Sequence, residues 1–321
     1  MALSSGAVKV VVTGLITIIL SFIALGCRLW SRRILKLPLV FNDYMAIVAT
    51  IFALGTVLVF LIASFFAGVG LHLREILATN PQLLVLHLKL FVPAQLLWAG
   101  ANTSVKFSIL SLYTTIFPSK RFGYLCYGIM ALSMAYFISV LLQIFVLCKP
   151  LQYSWDKSIP GGHCHGESSS YLASGITNLV IDAFIVGLPM PMFFGLQMSL
   201  PKKLSIAGMF SLGALICVLS LLRVMWLQNW QLDDMTYTVT AGAIYTILEP
   251  TLGVINACLP TMRPVLKRLF ATSVSAWPQS RTSGTKDSTN SKNSEQTRES
   301  GLGGSYNDQL GFQEGRYYYR Y

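Results

Sequence analysis

Four ionisable side chains lie inside long apolar stretches of this 321-residue chain: Lys106, Asp182, Arg223 and Glu249. A charge at the centre of a membrane helix costs roughly 2.5–3.5 kcal/mol on insertion scales, so such groups are expected to face the bundle interior and to pair. Two interpretations stay open. In one, Lys106 pairs with Asp182 or Glu249 and orients the helices. In the other, the charges line a pocket that contacts a ligand or relays a proton.

Uncharged polar residues accompany these charges and favour a cavity. In the third apolar stretch, Gln95, Asn102, Lys106 and Tyr113 are spaced by seven, four and seven, which places them on one helical stripe. The candidates for a ligand pocket or ion-pair network are Asn102, Lys106, Asn178, Asp182, Arg223, Tyr245, Glu249 and Asn256. If the protein is an enzyme, Asp182 and Glu249 are the candidate proton donors, because a buried carboxyl group can act as a general acid.

The composition indicates which elements position these residues. Hydrophobic residues make up 54% of the chain and charged residues 12%, and the mean hydropathy is +0.59. A membrane helix needs roughly 20 apolar residues, and seven stretches of about that length are present. We therefore predict an all-α, multi-pass bundle of seven helices in the plasma membrane or an endomembrane, with the lipid bilayer as its partner. The predicted spans are 6–27, 43–66, 88–116, 122–147, 169–195, 204–227 and 238–261.

The distribution of lysine and arginine predicts the orientation. Four loops, at 28–36, 118–121, 202–203 and 263–268, together hold eleven of these residues, whereas the opposite side holds about five. The positive-inside rule places the four basic loops in the cytosol and the N-terminus outside. The net charge of +11 is then explained by topology, without a nucleic-acid partner. The polar segment 271–321 is predicted to be a disordered cytosolic tail, for which the sequence identifies no partner.

A polar, turn-rich loop bracketed by Cys148 and Cys164 separates the fourth and fifth spans. Two cysteines that close a polar loop between apolar spans predict an extracytoplasmic disulfide, which agrees with the charge distribution. The other four cysteines lie in or at the end of apolar stretches and are expected to be ordinary buried thiols. The loop is either a rigid lid that closes the bundle or a lid that helps to form a ligand entrance.

No metal or cofactor is predicted. His72, His163 and His165 lie in outer segments and are weak metal candidates, because loop histidines are usually solvated. Retinal is excluded as a covalent cofactor, since residues 238–261 contain no lysine for a Schiff base. No Walker, Rossmann, zincin or catalytic-triad pattern is present.

Short motifs along the chain resemble the fungal rhodopsin-domain family of integral membrane proteins. This family includes receptor-like proteins of plant-pathogenic fungi and membrane proteins of mycotoxin gene clusters such as that of satratoxin. The matching residues are Asn42–Tyr44, Gly68–His72, Lys106–Tyr113, Cys148, Pro150, Trp155, Gly162, Cys164, Asn178, Asp182, Pro189, Arg223, Glu249 and Leu259–Pro260. The resemblance covers roughly residues 10–270. It implies seven helices, an outside N-terminus and no general use of retinal.

Three functions follow as alternatives. The first is a receptor-like sensor of a small amphiphilic ligand. The second is an integral-membrane enzyme or accessory protein of a secondary-metabolite pathway. An enzyme of this kind would perform acid–base chemistry on a hydrophobic substrate within the membrane. The sequence favours an enzyme less than a sensor. A transporter ranks last, because the first three and last three spans show no internal similarity.

Overall fold

Seven long helices dominate the fold. The structure, a computed structural model, describes residues 4–70, 82–117, 119–156, 159–193, 200–228 and 235–262. The helices are α1 (Ser5–Ile34), α2 (Phe41–Phe66), α3 (Gln82–Ile116), α4 (Lys120–Val146), α5 (Glu167–Gly187), the short α6 (Met190–Phe193), α7 (Leu200–Gln228) and α8 (Met235–Cys258). His72 and the tail predicted at 271–321 lie outside the described residues.

All seven long helices have the length and composition of membrane spans, which confirms the predicted fold class. Their ends differ from the predicted spans in places. Helix α1 continues to Ile34, beyond the predicted end at residue 27, because a helix can extend past the hydrocarbon into its own basic flank. Helix α5 ends at Gly187, before residue 195, where Pro189 and Pro191 restrict continuation of the helix.

The helices form a closed ring. Along the ring α1 contacts α2, α2 contacts α3, α3 contacts α4, α4 contacts α5, α5 contacts α7, α7 contacts α8, and α8 returns to α1. Helix α3 also contacts α5 and α8 across the ring. Polar residues on α3 can therefore meet polar residues from the opposite side of the bundle.

Small residues allow α2 to pack closely against α3. Ala46, Ala49, Ala53 and Thr56 recur every three to four residues along α2 and are fully buried. Small side chains let helix backbones approach in a bilayer, where lipid supplies no hydrophobic drive for association. The α2–α3 contact is the most extensive between any two described elements.

The start of α2 is capped by a carboxylate inside the helix. The helix begins at Phe41 and its N-cap is Val40, whose side chain makes no capping hydrogen bond. Asp43 is thus the third helical residue, and its carboxylate accepts the Val40 N–H at 3.0 Å. Because Phe41 and Asn42 are the first two helical residues, the carboxylate at the third position provides the capping hydrogen bond.

The loop between α4 and α5 contains the predicted disulfide, Cys148–Cys164. Two short antiparallel strands, β1 (Cys148–Lys149) and β2 (His163–Cys164), pair the two cysteines directly. Tyr153 and Trp155 in the loop are half-buried. We call the end of the bundle that carries this loop the disulfide side; the sequence predicts that it faces outside.

Removing the disulfide should lower the free energy of unfolding by about 3 kcal/mol, the value expected for closing a loop of about this length in the unfolded chain. The change is Cys148→Ser with Cys164→Ser, measured by denaturant unfolding in detergent. Cys27→Ser, at a half-buried free thiol, is the control. A reductant should destabilise the wild type but not the double variant. Equal sensitivity to reductant in both proteins would contradict the assignment.

Candidate functional site

A buried polar network crosses the middle of the bundle, and Lys106 is its cation on α3. Its Nζ lies 3.1 Å from Asp182 Oδ1 and donates to Asn178 Oδ1 at 2.6 Å. Asn178 Nδ2 donates to Asp182 Oδ2 at 3.1 Å, and the Ser220 hydroxyl donates to the same oxygen at 3.3 Å. The Lys106–Asp182 pair therefore joins α3, α5 and α7.

Glu249 on α8 is the second anion of the network and is 1% exposed. Asn178 Nδ2 donates to its Oε1 at 2.5 Å, and Trp98 Nε1 donates to its Oε2 at 3.2 Å. Arg223 Nη1 lies 3.5 Å from Glu249 Oε2. Asn178 thus links the two ion pairs, because its amide contacts Lys106, Asp182 and Glu249.

Helical spacing brings these side chains together. On α3, Gln95, Trp98, Asn102 and Lys106 are separated by three or four residues and are all buried, so they form one inward stripe. On α5, Asn178 and Asp182 are one turn apart. Because α3 lies across the ring from α5 and α8, the stripes meet in the interior. Both interpretations of the buried charges require that these side chains face the interior. The structure contains the ion pair of the first interpretation, between Lys106 and Asp182.

Three predicted candidates lie outside this network. Asn102 Nδ2 donates to the Trp98 carbonyl of its own helix. Tyr245 is half-buried, and no network contact of its side chain is found in the described part of the chain. Asn256 is 4% exposed, and its Oδ1 has no hydrogen-bond partner among the described residues. Spacing on a helix identifies a face, but not which residues of that face reach a partner.

Sequence reasoning missed two members, Trp98 and Ser220. Trp98 is fully buried, donates to Glu249, and lies against the Arg223 guanidinium, whose Cζ is 3.5 Å from the ring centroid. Its position between Gln95 and Asn102 on the polar stripe is the signal that could have identified it. Ser220, one turn from Arg223, offered no such signal.

A second charged cluster lies at the opposite end of the bundle from the disulfide. Arg28 Nε and Arg32 Nε lie 2.8 Å and 3.0 Å from the two carboxylate oxygens of Asp43. Arg28 Nη1 also donates to the Ala257 carbonyl at 2.6 Å, near the end of α8. Arg28 and Asp43 are both fully buried. The sequence indicated these arginines only as topology signals, although the cluster ties α1, α2 and α8 together.

A cavity opens between α2, α3, α5, α7 and α8 on the disulfide side of the network. The centres of water-sized molecules can occupy about 50 Å³ of it, and its empty volume, open solvent included, is about 680 Å³. Its walls are mostly apolar and include Phe60, Leu90, Phe91 and Leu227. Gln95 and Arg223 line it where it meets the network. The polar network is thus in direct contact with an apolar cavity through Arg223.

The predicted outer-face features stand apart from this cavity. The exposed rings of His163 and His165 pack edge to face, with centroids 4.9 Å apart. The described residues contain no cluster of three or more histidine, cysteine or acidic side chains that could hold a metal ion. None of the described residues of the Cys148–Cys164 loop lines the cavity, so they contribute nothing to its wall.

Comparisons with known proteins point to one family. A family model described as "Fungal rhodopsin domain" matches residues 27–268. The chain is 24% identical over 261 residues to "Polyenoic acids biosynthesis gene cluster protein Ba17b" of Metarhizium anisopliae, a match that covers 78% of this chain and 71% of that relative. No solved structure matches the chain.

Two further relatives carry different descriptions. "Satratoxin biosynthesis SC1 cluster protein 4" of Stachybotrys chartarum is 24% identical over 182 residues, which cover 56% of this chain and 66% of that protein. "Receptor GIN3" of Arthrobotrys oligospora is 21% identical over 248 residues, 76% of this chain and 59% of that protein. The chain therefore matches just under two thirds or less of the length of these two relatives.

Proposed function

Because this chain belongs to the fungal rhodopsin domain family and is similar to a receptor and to biosynthetic-cluster proteins, we propose that it is a receptor-like sensor of a small amphiphilic ligand. One observation carries the proposal: an apolar cavity is lined by Arg223, which also contacts the central network. A cavity with apolar walls and a few polar groups is the usual form of a small-molecule site.

The same geometry supplies a way to respond to a ligand. A ligand changes a conformational equilibrium only through contacts that differ between the two states. A ligand on Arg223 alters the contact of that guanidinium with Glu249 on α8, and Glu249 shares Asn178 with the Lys106–Asp182 pair. Binding on the disulfide side thereby acts on α3, α5, α7 and α8 together.

An enzyme or accessory protein of secondary metabolism is the second candidate, favoured by the descriptions of the cluster relatives. The candidate proton donors Asp182 and Glu249 are buried, accept hydrogen bonds from protein groups, and do not line the described cavity. A substrate in that cavity would meet Arg223 before either carboxyl group. This geometry favours binding over acid–base chemistry.

Deleting the gene separates the two candidates. For a sensor, we expect an unchanged set of secondary metabolites and an altered transcriptional response to surfaces or nutrients. Wild-type protein should restore the response, and Arg223→Gln should not. Arg33→Gln, at an exposed arginine on α1, is the matched control and should restore it fully. Loss of one metabolite with accumulation of a single discrete precursor would instead indicate an enzyme.

A further inference from the structure

Arg223 is a buried cation whose contacts with its protein acceptors are long. The residue is 6% exposed. Its Nη1 lies 3.5 Å from Glu249 Oε2, and its Nη2 lies 3.4 Å from Gln95 Oε1. Charge-assisted N–H···O bonds are usually about 2.7–2.9 Å long. The guanidinium therefore keeps donor capacity for a stronger acceptor in the cavity that it lines.

Glu249 does not depend on Arg223 for its hydrogen bonds. Asn178 donates to Oε1 at 2.5 Å, and Trp98 donates to Oε2 at 3.2 Å. Both contacts are shorter than the one from Arg223. If a ligand moved the guanidinium away from Glu249, each carboxylate oxygen of Glu249 would still accept a hydrogen bond. The buried carboxylate would therefore not lose all its hydrogen-bond partners.

Trp98 fixes the plane of the guanidinium. The Cζ of Arg223 lies 3.5 Å from the centroid of the indole ring, a cation–π contact that occupies one face. The donors on the edge of the group remain for a ligand. A planar guanidinium edge matches the two oxygens of a carboxylate, which it binds through two parallel N–H···O contacts.

The other residues that line the cavity also favour a carboxyl head group. No aspartate or glutamate lies among the described lining residues, so an amine would find no counter-charge at the cavity surface. His87 lines the cavity, and its buried Nδ1 has no hydrogen-bond partner in the described ranges. The Thr246 hydroxyl already donates to the Gly242 carbonyl. Arg223 is the strongest polar group available.

We propose that this cavity binds a small apolar carboxylic acid, with its carboxyl group on Arg223 and its hydrocarbon chain among the apolar walls. The inference rests on the proposed sensor function and names its ligand class. Lys106, Arg223, Asp182 and Glu249 carry charges that sum to zero, so the bound carboxylate adds one negative charge beside Arg223. A neutral amide of the same chain length separates carboxyl recognition from simple carbonyl recognition.

The test measures binding of radiolabelled octanoic acid to the full chain in lipid nanodiscs, with unlabelled octanoic acid, octanamide and octylamine as competitors. Octanoic acid should compete at least about 10-fold better than the other two. Arg223→Gln should weaken binding about 10- to 100-fold, as expected for losing charge-assisted hydrogen bonds. Arg223→Lys keeps the charge but loses the planar fork, so its affinity should lie between. Arg33→Gln is the control.

Ala243→Leu places a larger side chain in the cavity and retains Arg223, so it tests the site if Arg223→Gln does not fold. It too should lose saturable octanoic acid binding. Equal competition by octylamine or octanamide, or unchanged affinity in Arg223→Gln, would overturn the carboxylic-acid assignment. That outcome is separable from the sensor proposal, which fails instead if gene deletion leaves the response to surfaces and nutrients unchanged.

Discussion

Replacing Asp43 with asparagine should lower the free energy of unfolding by about 3–5 kcal/mol, the cost of removing one partner from a buried ion pair. Asp43 is the carboxylate that Arg28 and Arg32 share, and all three side chains are buried. Asparagine leaves two arginines without a counter-charge in this cluster. One donor, Arg28 Nη2, already has no hydrogen-bond partner in the described ranges. Thermal and denaturant unfolding in detergent measure the change.

Arg28→Met should cost less than Asp43→Asn, because it leaves one arginine facing one carboxylate and the remaining charges balance. It still removes the hydrogen bond to the Ala257 carbonyl, so its effect should exceed that of Arg33→Met on the exposed face of α1. A surface change of that kind usually alters stability by less than about 0.5 kcal/mol. If Asp43→Asn cost no more than Arg33→Met, the cluster would not stabilise the fold.

The helices and the disulfide are predictable from the sequence because each leaves a local signal. An apolar stretch of about 20 residues has few alternatives to a membrane helix. The cysteines at 148 and 164 bracket one polar loop, and in the structure they form the disulfide. The Asp43 cluster gives no such signal. Its arginines precede the acid by 15 and 11 residues in sequence and resemble the basic flank of any span.

The contacts between residues of the central network could not be predicted from the sequence either. Helical periodicity places Lys106 and Asn102 on one stripe, yet only Lys106 reaches α5, since pairing depends on the depth and rotation of each helix. Asp182 and Glu249 were equal candidates for Lys106. In the structure Lys106 pairs with Asp182, and Asn178 contacts both Lys106 and Glu249. No rule of helical spacing specifies this three-way contact.

Lys106→Met should destabilise the protein by about 3–5 kcal/mol, because it leaves Asp182 as a buried anion whose donors, among the described residues, are the uncharged Asn178 and Ser220. Asp182→Asn should cost a similar amount by leaving Lys106 without its counter-charge. The double variant removes both charges and keeps an amide that can bond to Asn178 and Ser220. We expect it to be more stable than either single variant, with a coupling energy of about 1–3 kcal/mol in a double-mutant cycle.

The double variant also separates the two interpretations of the buried charges. If the Lys106–Asp182 pair only orients α3 against α5, restoring stability should restore the response of the deletion strain, and the signal would reside in Arg223 and Glu249. If the pair transmits the signal, the double variant should reach wild-type abundance in the membrane and still fail to respond. A double variant no more stable than Lys106→Met would contradict charge compensation itself, because the cost would then come from lost packing around the lysine stem rather than from an unpaired carboxylate.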